Sequence, residues 1–405
     1  GAAVHLACDA SLAGLAGILY PEAHIHPLRA HGGNIPPHEV LAANASAFEK
    51  LGAIDPDIVY NLNFSGLNFA LASLFDEEAV RGYFVHEGQR LKDPWTQLGF
   101  RLSGRRPQSP CNLVDLWAHF AEDPLAPEAV FPMAEAADRE PGGLGVVLAG
   151  RHSRRSLPAE VLAPMAAAAL EGIASQSEPG GASGAKKAYL LGTSAEKPLA
   201  RAFLRAASPR LAERVEDCTG TMDLVGLAEF LRGLDRVLTP DTGTMHLAAS
   251  LGTPVMACFL SSAWAWETGP YGAGHLVWQS APPCAPCLEA RACSNAMECL
   301  KPFTAPRLLK NVTAAAAGRG VRAEDLPESL LLLRGRHDGF GQTYEVLAGD
   351  DPYAAERFAL RREIARMRGV DLERDADGPP ALNEQLTRLL YREQDWMLPP
   401  WRDRA

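Results

Sequence analysis

Short apolar runs alternate with amphipathic stretches along most of the chain. The runs Leu144–Ala149, Ala188–Leu191 and Val255–Leu260, with another ending at Val237-Leu238, have the length and continuity of buried strands. Between them, Pro158–Leu170, a stretch through Ala206, and Leu224–Leu231 carry apolar residues at helical spacing. The first third of the chain repeats the pattern. Strands are predicted at Val4–Cys8, Ile25–Leu28 and Asp57–Leu62, and helices at Ala10–Tyr20, Glu39–Leu51 and Leu67–Phe75. Repeated strand–helix units of this kind build parallel sheets, so the predicted class is α/β.

Composition shifts mark the domain boundaries. Glu122–Gly143 is rich in Pro, Ala and acids and reads as a linker. Residues 1–128 are assigned to an N-terminal domain, 129–143 to the linker and 144–320 to a C-terminal domain. Residues 321–405 are assigned to a charged, helical extension with helices at Tyr353–Arg368 and Ala381–Tyr391. Ser175–Lys187 is a flexible Gly/Ser-rich insertion, and Asp371–Pro380 a break between the two tail helices.

The 405 residues are 47% hydrophobic and 22% charged, as in a soluble globular protein, and the formal charge of −10 disfavours nucleic acid as a partner. No apolar run reaches membrane-spanning length, and no secretory signal opens the chain, so a cytoplasmic location is expected, with peripheral contact at the inner membrane allowed. Against this acidic background Arg81–Arg106 is locally basic. Arg81, Arg90, Lys92 and Arg105 there are candidates for binding an anionic acceptor.

The candidate chemistry concentrates at Leu238–Pro254. A strand ends at Pro240, and Asp241 and Thr242 are good helix N-cap types. Met245, Leu247, Ala248, Ala249 and Leu251 form an apolar helix face, which Gly252 ends. A polar turn at the carboxyl end of a parallel strand, opening a helix, is where α/β sheets bind ligands, and the helix N-terminus suits a phosphate. Asp241 adds an acceptor for sugar hydroxyls and His246 a titratable donor.

The run Asp241-Thr242-Gly243-Thr244-Met245-His246-Leu247-Ala248-Ala249, with Thr268-Gly269-Pro270-Tyr271-Gly272 downstream, resembles the bacterial heptosyltransferases of glycosyltransferase family 9. Gly192-x3-Glu196 and Arg155-x2-Pro158 extend the resemblance upstream, most strongly within 144–300. It implies a GT-B fold, two doubly wound domains facing across a cleft. It also implies inverting transfer of a heptose-like sugar from an ADP-sugar to an anionic lipopolysaccharide core-type acceptor, with no metal needed for the donor diphosphate.

By the same resemblance, Asp241 contacts the donor sugar, and Thr242, Gly243 and Thr244 offer backbone N–H groups to the diphosphate. His246 stabilises the leaving ADP, and Arg155 stands where the family usually has Lys. Glu196 holds the ribose and Met222 lies near adenine. The family's base is an Asp in a Gly-Asp turn of its first βα unit. Residues 4–28 align with the unit after it, which leaves Asp9 as the candidate base here. Two other functions fit the same fold: protein O-heptosyl transfer, or binding of a nucleotide sugar without catalysis.

Eight cysteines are present, and four of them follow the spacing Cys284-x2-Cys287-x5-Cys293-x5-Cys299. Four thiols in so short a loop suit a structural tetrahedral metal site, zinc or iron.

Overall fold

The computed structural model describes residues 2–29, 36–121, 129, 142–150, 153–176, 186–260, 262–287 and 292–372. Most of the linker, most of the Gly/Ser-rich insertion and the Ala381–Tyr391 helix lie outside the described residues. The chain divides into two compact units, one built on Gly1–Gly104 and the other on Arg105–Asn383.

In the first unit β1 (His5–Asp9) pairs in parallel with β2 (His24–Leu28) through the Ala13–Leu19 helix. β3 (Val59–Asn61) pairs in parallel with β4 (Val80–His86), which turns back into β5 (Gln89–Lys92). Leu28 packs with Leu51 and Leu71, so the apolar positions of the Pro37–Gly52 and Gly66–Ala72 helices meet the end of β2. The basic stretch is therefore regular structure: β4, β5, and a Pro94–Ser103 helix capped by Asp93, whose Oδ1 accepts from the Thr96 N–H at 2.7 Å.

The second unit is organised on an eight-stranded sheet. Its strands are β6 (Leu144–Val147), β7 (Ala188–Leu191), β8 (Val215–Asp217), β9 (Arg236–Pro240), β10 (Val255–Phe259), β11 (Leu276–Ser280), β12 (Leu330–Asp338) and β13 (Gly341–Ala348). The order is β13-β12-β11-β10-β9-β6-β7-β8. From β11 to β8 every pairing is parallel. The chain runs outward from β6 to β8, returns to β9 beside β6, and then runs the other way to β11. This is the doubly wound order, with its switch point between β6 and β9. All four residues of β6 and all five of β10 are buried, as strands covered on both faces must be.

The tail departs from its predicted helical character. β12 and β13 are antiparallel and extend the sheet beyond β11, and among the described residues after them Ala354–Met367 returns to helix. Leu330–Leu333 are buried at 2% exposure or less, which a strand added to a covered sheet explains and an amphipathic surface helix does not. Residues 105–118, assigned by sequence to the first domain, pack within the second unit: Asp115 accepts from the Tyr271 hydroxyl at 2.7 Å and from the Gln342 N–H at 2.8 Å. Among the described residues no helix is long and apolar enough to cross a membrane.

Candidate functional site

Three parallel strands end at one cavity. β6 leads into Ala149-Gly150, β7 into Gly192-Thr193, and β9 into Asp241-Thr242, and all of these residues line a cavity of about 810 Å³. That volume falls in the range of small-molecule sites, and its position is the switch point of the sheet.

The helix Gly243–Ser250 opens directly onto it. Thr242 has extended backbone, and its hydroxyl accepts from the Met245 N–H at 3.2 Å, which ends the strand and starts the helix in one residue. Gly243 and Thr244, in the first turn, line the cavity. First-turn N–H groups have no acceptor inside their own helix, and together with the helix dipole they attract an anion.

Asp241 stands at the turn with its side chain 10% exposed. Arg155 Nη1 donates to its Oδ2 at 2.9 Å, and His246 Nε2 lies 3.9 Å from its Oδ1. One carboxylate thus stands between a guanidinium and an imidazole. The His246 ring is about half exposed (49%), and its pKa is lowered: burial pushes it down and Asp241 pulls the other way. The ring is therefore mainly neutral near pH 7, so it can still donate one hydrogen bond.

Glu196 reaches the cavity from the turn after β7. Its Oε2 accepts from the Thr193 N–H at 2.6 Å and from the Thr193 hydroxyl at 2.5 Å, which fixes the carboxylate at the rim. Gly220 closes the opposite wall. Its φ is +69°, and a Cβ there would lie 2.8 Å from Ser194 Cα, so the site requires glycine. Met222, Leu224 and Leu227 make the adjoining wall apolar. Arg155, Glu196, Met222, Asp241, Thr242, Gly243, Thr244 and His246, expected from the sequence to meet the donor, all line this one cavity.

The other candidates are placed differently. Asp9 caps the turn Ala10–Leu12 in the first unit, its Oδ1 accepting from the Ser11 N–H at 3.0 Å. Arg81 and Arg90 are exposed on β4 and β5; Arg81 donates to the Glu78 carbonyl at 2.6 Å, and Arg90 lies 5.0 Å over the Phe69 ring. Lys92 is 2% exposed, 4.2 Å over the Phe100 ring, and burial brings its pKa down to about 8. Arg105 is half-buried at the start of the second unit. Arg154 turns away from the cavity to donate to Cys287 Sγ at 3.0 Å, and Arg151 lies outside the described residues.

The four-cysteine metal site is not assembled. Among the described residues no group of three or more His, Cys, Asp or Glu is arranged to hold an ion. Cys299 is buried at 5% exposure in the core, Cys284 is exposed, and Cys293 Sγ accepts from the Met297 N–H at 3.4 Å.

The Thr268–Gly272 motif proves to be a structural corner. Tyr271 donates to the buried Asp115, the Gly272 N–H donates to Gln342 Oε1 at 2.8 Å, and Tyr344 donates to the Pro270 carbonyl at 3.0 Å. Just before it, Glu267 was not singled out by sequence. It is 5% exposed, 3.1 Å from Arg106 Nε, and its pKa is raised to about 7 by burial, with Arg106 lowering it and Asp241 raising it further. Its only sequence signal is an acid inside the aromatic run Trp264-Ala265-Trp266-Glu267.

Residues 185–297 match the family model for glycosyltransferase family 9 (heptosyltransferase). Glu196, Met222 and Asp241–His246 all fall inside the matched segment. No curated protein matches the chain. Among solved structures, an E. coli ADP-heptose lps heptosyltransferase II is 13% identical, with 67% of this chain and 79% of that one covered and a TM-score of 0.44. A glycosyl transferase family 9 protein from Veillonella parvula DSM 2008 is 15% identical, with coverage of 69% and 87% and a TM-score of 0.43. An E. coli heptosyltransferase solved with ADP is 16% identical, with coverage of 66% and 80% and a TM-score of 0.44.

Proposed function

We propose that this chain, whose residues 185–297 carry the signature of family 9 glycosyltransferases, transfers a heptose-like sugar from an ADP-sugar to a lipopolysaccharide core-type acceptor with inversion. The observation that carries the reading is the cavity at the sheet's switch point, where a helix N-terminus, Arg155 and His246 converge. These groups are suited to a diphosphate.

In this reading the N–H groups of Gly243 and Thr244 bind the diphosphate and the Arg155 guanidinium neutralises it, so the protein supplies the positive charge that the phosphates require. Asp241 orients Arg155 through its 2.9 Å contact and keeps His246 beside the same phosphates. As the glycosidic C–O bond breaks, the sugar takes on oxocarbenium character and the departing ADP gains charge. Donors already aimed at that charge lower the barrier. Glu196 receives the ribose hydroxyls, and the adenine lies against Met222 and its apolar neighbours. The acceptor hydroxyl loses its proton to a carboxylate, for which Asp9 is the candidate. Arg81, Arg90, Lys92 and Arg105 are the cations proposed for the anionic acceptor. The reaction would take place in the cytoplasm, where such donors are used, at the inner face of the membrane that carries the acceptor.

Release of ADP from ADP-heptose tests this. Release that depends on a core-type glycan supports the reading. Release that depends on a polypeptide would redirect it to protein glycosylation, and binding without release would make the chain a nucleotide-sugar binder.

A further inference from the structure

The first unit holds a cluster of side chains that the donor cavity does not use. In the β1–β2 pair, His5 lies opposite His24 and Ala7 opposite His26. Side chains alternate along a strand, so His5, His24 and His26 project from one face. The rings are stacked: His5 is 4.8 Å from His24 and 5.2 Å from His26, centroid to centroid. His5 Nδ1 and His26 Nε2 stand 2.9 Å apart.

Three imidazoles on one small face serve no packing purpose, because His5 and His24 are exposed. The 2.9 Å gap between the two nitrogens is an ordinary hydrogen bond, and it is also a spacing that one ion can bridge. Two imidazole nitrogens bound at a right angle to one ion, at about 2.0–2.1 Å each, stand about 2.9 Å apart. A right angle belongs to tetragonal or octahedral coordination, which Cu²⁺ and Ni²⁺ adopt with nitrogen ligands. The pair now shares one hydrogen bond; to hold an ion at a right angle both rings would turn their lone pairs off the N–N line, and the shared proton would pass to solvent.

We propose that His5 and His26 form a bidentate site for a divalent transition ion of the Cu²⁺ or Ni²⁺ type, with water completing the coordination. The ion would bridge the two parallel strands. The site is independent of the donor-site reading, and ADP binding should not respond to it.

The test is calorimetric titration of the metal-free full chain with Ni²⁺, followed by Cu²⁺ with electron paramagnetic resonance, after Cys284→Ser and Cys293→Ser remove the exposed thiols. One equivalent is expected to bind, with nitrogen hyperfine structure from the imidazoles. His5→Ala and His26→Ala should each weaken binding about tenfold or more, and Cu²⁺ should bind more tightly than Ni²⁺. His38→Ala, an exposed histidine on another element, should change nothing, and circular dichroism should show each variant folded. Unchanged binding in the folded His5→Ala/His26→Ala double variant, or no binding at one equivalent, would overturn the proposal.

Discussion

Asp241 is the residue on which the donor site turns. The D-T-G-T-M-H run was legible because its residue types match the local demands: a strand end, an N-cap and a helix start. Arg155 was named beside it, but their ion pair was not legible, because 86 residues separate Arg155 from Asp241 and no sequence spacing links them. The pairing has a consequence. Asp241→Asn should keep the turn's shape but release Arg155, and kcat for ADP-sugar turnover should fall about 10²-fold, as when one preorganised charge-stabilising group is lost. His246→Ala should act similarly on kcat, while Met222→Ala should act mainly on KM.

Glu267 gives a prediction in pH. Its pKa rises from 4.5 to about 7 in the folded chain because burial disfavours the charged form. The fold therefore favours the protonated acid. The stability this residue contributes is complete below about 4.5 and is lost as pH rises through about 7. Melting temperatures of wild type and Glu267→Gln should diverge across that window, with the variant relatively more stable at the alkaline end. Parallel curves would contradict the assignment.

At the scale of elements, the sequence reading succeeded where periodicity was unambiguous. β6, β7, β10 and the helices between them follow their apolar patterns closely. In the tail it foresaw the Ala354–Met367 helix but failed at Leu330–Ala348. Leu330–Leu333 is a continuous apolar run, and such a run does not distinguish a buried strand from a buried helix. What decides the matter is the open edge of β11, which a sequence does not display. The hairpin then explains the Thr268–Gly272 motif, since Asp115, Gln342 and Tyr344 fasten it. Tyr271→Phe leaves a buried carboxylate short of a donor and should cost about 1–3 kcal/mol in denaturant unfolding. Gly341→Ala should cost more, because its φ is +146° and a Cβ would come 2.2 Å from the Asp115 carboxyl. In both folded variants ADP affinity should stay near wild type, because neither residue lines the cavity.

At the scale of the whole molecule, the repeated strand–helix pattern foretold the α/β class but not the strand order, which depends on which strands become neighbours. The order supplies the site: β6 and β9 diverge at the switch point, and the turns that follow them become its two walls. The four-cysteine loop shows the opposite case, a strong spacing signal for which no three ligands are grouped to hold an ion among the described residues. If this cavity is a nucleotide-diphosphate site, calorimetric titration of the folded chain with ADP should show it. One equivalent of ADP should bind in the micromolar range, weakened about tenfold or more by Arg155→Ala and by His246→Ala in folded protein. No binding of ADP, or binding that both substitutions leave unchanged, would contradict it.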